Sequence, residues 1–142
     1  MRSARRRLTS RQRASDNSFV VLIVEDDEDT RVAYQEFLEL LGFPAACVGT
    51  GTAALEIVRT QPIDAVLLDL TLPDIDGRVL CERLREAASS PPLRVMALTG
   101  HTLDEAERRK FEAVLRKPVD LDAVAAWLRG LPPLPTSPRG AT

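Results

Sequence analysis

Residues 19–27 read FVVLIVEDD, an unbroken run of six apolar side chains followed directly by three carboxylates. A run of this length without alternation is typical of a strand buried on both faces, as in the middle of a parallel sheet. Residues 65–69 (AVLLD) and 94–99 (RVMALT) repeat the pattern, and each also ends in a polar residue. These runs predict the interior strands of an α/β domain, the first of them at Phe19–Glu25.

Weaker strands and helical patterns fill the intervals between these runs. Ala45–Val48 and Ala113–Arg116 are short apolar candidates for two further strands. Apolar residues recurring every three or four positions predict helices. They are a first helix with Tyr34, Phe37, Leu38 and Leu41 on one face and Gly42 at its end, then Thr52–Thr60, Arg78–Ala88, Leu103–Phe111, and a fifth helix capped by Asp120. Right-handed crossovers turn five such β-α units into a doubly wound sheet. We therefore expect an α/β, flavodoxin-like fold, a five-stranded parallel sheet of order 2-1-3-4-5 covered by five helices.

The two ends of the chain differ from the middle in composition. Residues 1–18 contain six Arg, one Asp and a single large apolar side chain, and are expected to be a disordered basic arm. Residues 132–142 carry four prolines and are expected to be a disordered tail. The folded domain is therefore assigned to residues 19–131. The sequence leaves the arm open between a solvated tail, a segment for anionic partners and an organellar transit peptide.

Charge and cysteine content exclude several classes of function. Residues 19–131 hold 12 Lys and Arg against 20 Asp and Glu, so the folded surface is too acidic to bind nucleic acid. Cys47 and Cys81 form no CxxC pair and there is one histidine, which argues against a disulfide framework and a zinc site. No apolar run is long enough to span a membrane. We expect a cytoplasmic protein without a membrane partner, because the lack of a disulfide framework favours a reducing compartment.

Polar side chains follow the apolar runs at the edge where an open α/β sheet binds ligands. The first strand ends in Glu25 and Asp26, the third in Asp69 and the fourth in Thr99, and Lys117 follows the fifth. The first and third strands are neighbours in the predicted order, so their carboxylates should converge and require a cation. Carboxylate oxygens suit Mg²⁺, and a lysine ammonium suits phosphate. An ionised aspartate is a competent nucleophile in phosphoryl transfer, and Asp69 is the candidate acceptor.

Four stretches resemble the signatures of response-regulator receiver domains, in the family's order: VLIVEDDE at 21–28, LLDLTLPDIDG at 67–77, ALTGH at 97–101 and LRKPV at 115–119. The resemblance implies a phosphorylation switch of two-component signalling. A sensor histidine kinase or a histidine phosphotransfer protein would phosphorylate it, and a downstream protein would receive the signal. Because only 13 residues follow Arg129, we expect a stand-alone receiver without enzymatic turnover of its own. Dimerisation is left open.

The same resemblance implies roles for individual residues. Asp69 matches the phosphorylated aspartate, Thr99 matches the hydroxyl residue that moves toward the phosphoryl group, and Lys117 matches the lysine that binds it. The Mg²⁺ ligands that it implies are Glu25, Asp26, Asp69 and the backbone carbonyl of Thr71. A cis peptide bond is expected before Pro118.

One region departs from the family pattern. Thr99 and Lys117 are 18 positions apart, about one helical turn fewer than usual, and Val114 stands where the family has an aromatic switch residue. A β-branched side chain is stiff at χ1, so Val114 is not expected to swing between two positions. We expect the loops at 71–77 and 100–104 to carry the switch instead. Two alternatives stay open, a phosphorylation-independent receiver-like binding module and a small phosphohydrolase.

Two stretches imitate other phosphate-binding motifs in the wrong context. Residues 49–54 (GTGTAA) match GxGxxA but follow the weak second strand, and residues 74–77 (DIDG) follow Leu-Pro instead of an apolar strand. Both are interpreted as turns that lead into helices. His101, two residues past Thr99, is expected at the rim of the phosphoryl site, where an imidazole would block or orient the hydrolytic water.

Overall fold

The computed structural model describes residues 19–89 and 92–131. The predictions for the basic arm and the proline-rich tail fall outside these residues. In the described part of the chain, strands and helices alternate as β1 Val21–Val24, α1 Glu28–Leu40, β2 Ala45–Val48, α2 Gly51–Thr60, β3 Ala65–Asp69, α3 Gly77–Ala87, β4 Arg94–Thr99, α4 Glu105–Arg108, β5 Ala113–Arg116 and α5 Leu121–Gly130. Four of the five strands, β2 to β5, have the predicted bounds.

The five strands form one parallel sheet in the order β2-β1-β3-β4-β5, which confirms the predicted fold. Val24 at the end of β1 pairs with Leu68 in β3, and Thr99 at the end of β4 pairs with Arg116. The carboxyl ends of β1 and β3 therefore lie side by side at one edge of the sheet. From there the chain after β1 continues to α1 on one face of the sheet, and the chain after β3 continues to α3 on the other face.

Alternating residues of the interior strands pack into two separate layers of the core. Leu22 and Leu68 lie beneath α2 and α3, whereas Ile23 and Leu67 lie beneath α1 and α5. All four side chains are fully buried, and burial of one such side chain stabilises the fold by roughly 1.5–3 kcal/mol. This two-sided burial explains why the strand segments are continuous apolar runs. None of the helices in residues 19–89 and 92–131 is long and apolar enough to cross a membrane.

Helix α4 is shorter than the predicted Leu103–Phe111. Asp104 caps it with a reciprocal pair of hydrogen bonds to Glu107, which fixes the start. After Arg108 the N–H groups of Lys110 and Phe111 donate to carbonyls three residues back, so the last turn tightens and ends. Phe111 then turns inward and is buried in the layer beneath α2 and α3.

The end of α1 also differs from the prediction, because Leu41 does not join its buried face. Leu41 is 38% exposed and lies just beyond the helix, where Gly42 takes a φ of 92°. That left-handed backbone conformation suits glycine and turns the chain out of the helix. The N–H of Phe43 then donates to the carbonyl of Leu38, which completes the helix end.

Strand β1 begins two residues later than predicted. The N–H of Val20 donates to the carboxylate of Asp64 at 2.7 Å, and only from Val21 does the chain pair with its neighbours. At the other end, Glu25 lies past the last paired residue although its N–H still donates to the carbonyl of Val48. The buried run is therefore longer than the paired strand.

Candidate functional site

The carboxyl ends of β1, β3 and β5 border an open cleft of about 490 Å³. Its lining residues are Glu25, Asp26, Asp27, Thr30, Tyr34, Asp69, Thr71, Lys117, Pro118 and Val119. The structure thus brings together five of the six residues that the sequence singled out for the site. The sixth, Thr99, is buried at the end of β4 and is not among the lining residues.

Asp69 is the most tightly held carboxylate of the cleft. It is 1% exposed, and its Oδ1 accepts hydrogen bonds from both the N–H and the hydroxyl of Thr71, each at 3.0 Å. The Nζ of Lys117 lies 3.1 Å from the same oxygen. All three contacts involve Oδ1, and none of them involves the other carboxylate oxygen, Oδ2.

Glu25 is a buried carboxylate, and only one of its two oxygens accepts a hydrogen bond from the described residues. Its Oε2 accepts from the N–H of Asp27 at 3.1 Å, whereas the buried Oε1 has no hydrogen-bond partner among the described residues. Burial raises the pKa of Glu25 to about 7, opposed by the Asp27 N–H, and the charge of Asp69 raises it further. An orphaned, buried carboxylate oxygen is a costly feature unless a cation or a proton meets it.

The acidic group fits a hard divalent cation. Glu25, Asp26 and Asp69 each offer an oxygen, and these oxygens all lie within 4.8 Å of one another. Asp26 is exposed, so an ion bound there can retain water ligands, as Mg²⁺ prefers. Glu25 also carries the buried oxygen without a hydrogen-bond partner, and a cation bound by this carboxylate would compensate its burial.

The remaining predicted residues are arranged through backbone pairing of β4 with β5. The N–H of Lys117 donates to the carbonyl of Thr99 at 2.8 Å, and the Lys117–Pro118 peptide bond is cis, as expected. The hydroxyl of Thr99 accepts a hydrogen bond from the N–H of His101 at 3.0 Å. His101 itself is exposed at the start of the loop after β4, next to Thr99, and is not among the residues that line the cleft.

Sequence reasoning missed two residues of the first helix. Tyr34 was expected only as a core residue, but it also lines the cleft, and burial followed by the charges of Glu25 and Asp69 raises its pKa to about 12. Arg31 donates from Nη1 to the carbonyl of Glu25 at 2.9 Å. Helical periodicity marks Tyr34 as inward-facing but gives no sign that it reaches the cleft, and nothing in the spacing singles out Arg31.

The two motif-like stretches contact each other at the start of α2. Thr50 caps the helix, and the Asp74 carboxylate accepts from the N–H groups of Gly51 and Thr52 at 3.0 and 3.1 Å. Asp76 in turn caps α3. Both stretches therefore serve helix capping, in agreement with their interpretation as turns, and Asp74 anchors the loop that follows the acceptor strand.

Comparison with known proteins is consistent with this geometry. The family model described as the response regulator receiver domain matches residues 21–129. The transcriptional regulatory protein YxdJ of Bacillus subtilis is 32% identical over 111 residues, 77% of this chain and 48% of that protein. The sensor histidine kinase GacS of Pseudomonas protegens is 33% identical over 106 residues, 70% of this chain and 12% of that protein. Among solved structures, a CheY-like response regulator receiver domain from Methylobacillus flagellatus superposes with a TM-score of 0.74 at 34% identity, covering 79% of this chain and 97% of that one.

The chain belongs to the response regulator receiver domain family, the receiving modules of two-component systems. It spans about half of YxdJ and about an eighth of GacS. The resemblance noted in the four sequence motifs is therefore confirmed at the level of the family and its fold. Another similar structure, the receiver domain of the sensor histidine kinase PA1611 from Pseudomonas aeruginosa (TM-score 0.69, 24% identity, covering 79% of this chain and 95% of that one), has a magnesium ion coordinated in its active site cleft.

Proposed function

We propose that this receiver domain is phosphorylated on Asp69 by a sensor histidine kinase or a histidine phosphotransfer protein. Mg²⁺ would be held by Glu25, Asp26, Asp69 and the backbone carbonyl of Thr71. The observation that carries the proposal is the 3.1 Å contact between Lys117 Nζ and Asp69 Oδ1, beside three carboxylate oxygens within 4.8 Å of one another. Phosphoryl transfer depends on positioning and on charge stabilisation, and this cleft provides both around one nucleophile.

The proposed reaction uses the two oxygens of Asp69 differently. Thr71 and Lys117 hold Oδ1, so Oδ2 is assigned as the oxygen that attacks phosphorus. As the new O–P bond forms, the P–N bond of the donor phosphohistidine breaks, and its electron pair returns to the imidazole nitrogen. Mg²⁺ held by Glu25, Asp26 and Asp69 would supply positive charge that stabilises the phosphoryl oxygens. Lys117 supplies a second positive charge, and Thr99 is assigned to donate a hydrogen bond from its hydroxyl to a phosphoryl oxygen.

The signal is proposed to leave the site through the loops at 71–77 and 100–104. Thr99 accepts the His101 N–H, so moving its hydroxyl toward a phosphoryl group breaks a hydrogen bond of the second loop. Arg116 holds the same loop by donating to Thr102 Oγ1 at 2.9 Å. Val114 packs partly buried against the core layer beneath α2 and α3, and it has no ring that could exchange positions.

Several wider assignments belong to the same proposal. The folded domain is residues 19–131, output passes to a protein target and not to nucleic acid, and the location is cytoplasmic, in keeping with two cysteines that form no disulfide with each other. No separate enzymatic turnover is proposed, since no histidine lies among the residues lining the cleft to act as a general base. The short α4 and Val114 favour a second candidate, a receiver-like module that binds its partner without phosphorylation.

Incubation with acetyl phosphate, followed by intact mass spectrometry, tests the proposal. We expect the mass to rise by one phosphoryl group with Mg²⁺ and not in EDTA. Asp69→Asn should abolish the increase, and Asp26→Ala should strongly reduce it. Asp122→Asn, at an exposed position in α5, is the matched control and should behave as the wild type. No increase under any condition would favour the phosphorylation-independent module, and sustained release of phosphate from an ester substrate would favour a phosphohydrolase.

A further inference from the structure

We infer that Arg31 is a positioning residue for the metal site. The absence of a side chain at Gly49 leaves the space that the Arg31 guanidinium occupies. The inference rests on the proposed Mg²⁺ site. It concerns Arg31, which contacts the backbone of the acidic loop, and Gly49, neither of which is among the residues that line the cleft.

The Arg31 guanidinium holds the backbone on which two carboxylates are mounted. Its Nη1 donates to the carbonyl of Glu25 at 2.9 Å and lies 3.4 Å from the carbonyl of Asp26. Arg31 belongs to the first turns of α1, whose start is fixed by Asp27 accepting from Thr30. The loop between β1 and α1 is thereby tied to the helix that follows it by a charged donor, and such hydrogen bonds are the stronger ones.

Gly49 makes the space for this contact. A Cβ built on Gly49 would lie 2.9 Å from Nη1 of Arg31, 3.6 Å from its Cζ and 3.9 Å from the carbonyl oxygen of Glu25. The closest atom is the tip of a flexible side chain, so an alanine at this position can be accommodated if the guanidinium moves. That movement would take the donor off the two carbonyls while leaving the core intact.

If Arg31 acts only through its charge, its removal should change Mg²⁺ affinity in the opposite direction from that expected if it positions the loop. A positive charge close to a cation site weakens cation binding through Coulomb repulsion, so removing it should strengthen Mg²⁺ binding. If Arg31 instead orients the loop, removing it should weaken Mg²⁺ binding, because supporting contacts of metal ligands typically contribute about 10–100-fold in affinity. The sign of the change therefore separates the two roles.

The test is Mg²⁺ titration calorimetry of the whole chain at fixed ionic strength. We expect Arg31→Ala to bind Mg²⁺ about tenfold more weakly, within the range known for supporting residues. Arg31→Lys should also bind more weakly despite its retained charge, and Gly49→Ala should weaken binding in the same direction with little loss of thermal stability. Arg59→Ala, which removes an exposed arginine from α2, is the matched control and should bind as the wild type.

A second readout works without metal. The N–H of Asp27 donates to Oε2 of Glu25, so its hydrogen exchange reports on the geometry of the loop. Exchange at Asp27 should be faster in Arg31→Ala and Gly49→Ala than in the wild type when both are measured in EDTA. Equal or tighter Mg²⁺ binding by Arg31→Ala, or unchanged exchange in both variants, would overturn the inference. Absence of Mg²⁺ binding by the wild type would instead contradict the proposed function, and the exchange measurement would still decide the role of Arg31.

Discussion

Gly77→Ala is expected to destabilise the domain, because α3 begins against the backbone of the loop that follows Asp69. A Cβ built on Gly77 would lie 2.6 Å from the Cα of Leu70 and 2.7 Å from its Cδ2. The N–H of Gly77 also donates to the carbonyl of Leu70 at 3.2 Å, so the two backbones are held together. A Cα atom cannot rotate away, and the start of the helix must move instead.

The size of the effect follows from two opposing contributions. Carbon atoms pack best at about 3.5–4.0 Å, so the new contact is too short by roughly 1 Å. Overpacking of this kind costs about 1–3 kcal/mol. Alanine is a better helix former than glycine by up to about 1 kcal/mol, which offsets part of that cost. Because the contact is with backbone, the upper part of the overpacking range applies, about 2–3 kcal/mol, and after the offset we expect the free energy of unfolding of Gly77→Ala to fall by roughly 1–2 kcal/mol.

Urea denaturation of the wild type, Gly77→Ala and Gly130→Ala measures the difference. Gly130 is the last residue of α5, and a Cβ built there meets nothing within 4 Å. That variant should match or slightly exceed the wild type in stability. Gly77→Ala should also be phosphorylated more slowly, because Leu70 follows Asp69 directly. A Gly77→Ala protein as stable as the wild type would refute the close-approach reasoning.

Three further outcomes are expected. Beryllofluoride with Mg²⁺ should shift amide NMR signals mainly at 71–77 and 100–104, with Val114 little changed; shifts centred on Val114 and its strand would contradict the proposed output route. His101→Ala should change the rate of dephosphorylation several-fold, measured by intact mass over time, and identical decay of variant and parent would make His101 a bystander. In EDTA, the pKa of Glu25, raised by burial from 4.5 to about 7, means that its contribution to stability is complete below 4.5 and is lost as the pH rises through 7. Glu25→Gln should therefore gain stability relative to the wild type across that pH range in urea denaturation, and a constant difference would count against the shift.

The sheet could be predicted from the sequence because its interior strands are buried on both faces. In β3 and β4 every residue is buried, so the apolar run and the strand have the same bounds. The order of the strands then followed from general rules of α/β topology. Those rules also place the residues at the ends of β1 and β3 in one cleft, which is why Glu25, Asp26 and Asp69 could be grouped from the sequence.

The features that sequence analysis missed depend on contacts between distant residues. The start of α4 is set by reciprocal capping at Asp104, and its end is set by the tightened last turn before the buried Phe111; helical periodicity predicts neither. Arg31 resembles any other helix arginine until its contacts with two carbonyl groups are seen. Asp74 gives no sign in the sequence that it caps a helix more than twenty residues earlier.

Mapping the phosphorylated residue tests the central proposal most directly. The wild type is treated with acetyl phosphate and Mg²⁺, reduced with sodium borohydride, which converts an aspartyl phosphate to homoserine, and digested for tandem mass spectrometry. We predict homoserine at position 69 only, and none when Mg²⁺ is replaced by EDTA. Homoserine at another aspartate, or phosphate retained on any other residue type, would contradict the assignment of Asp69 as the acceptor.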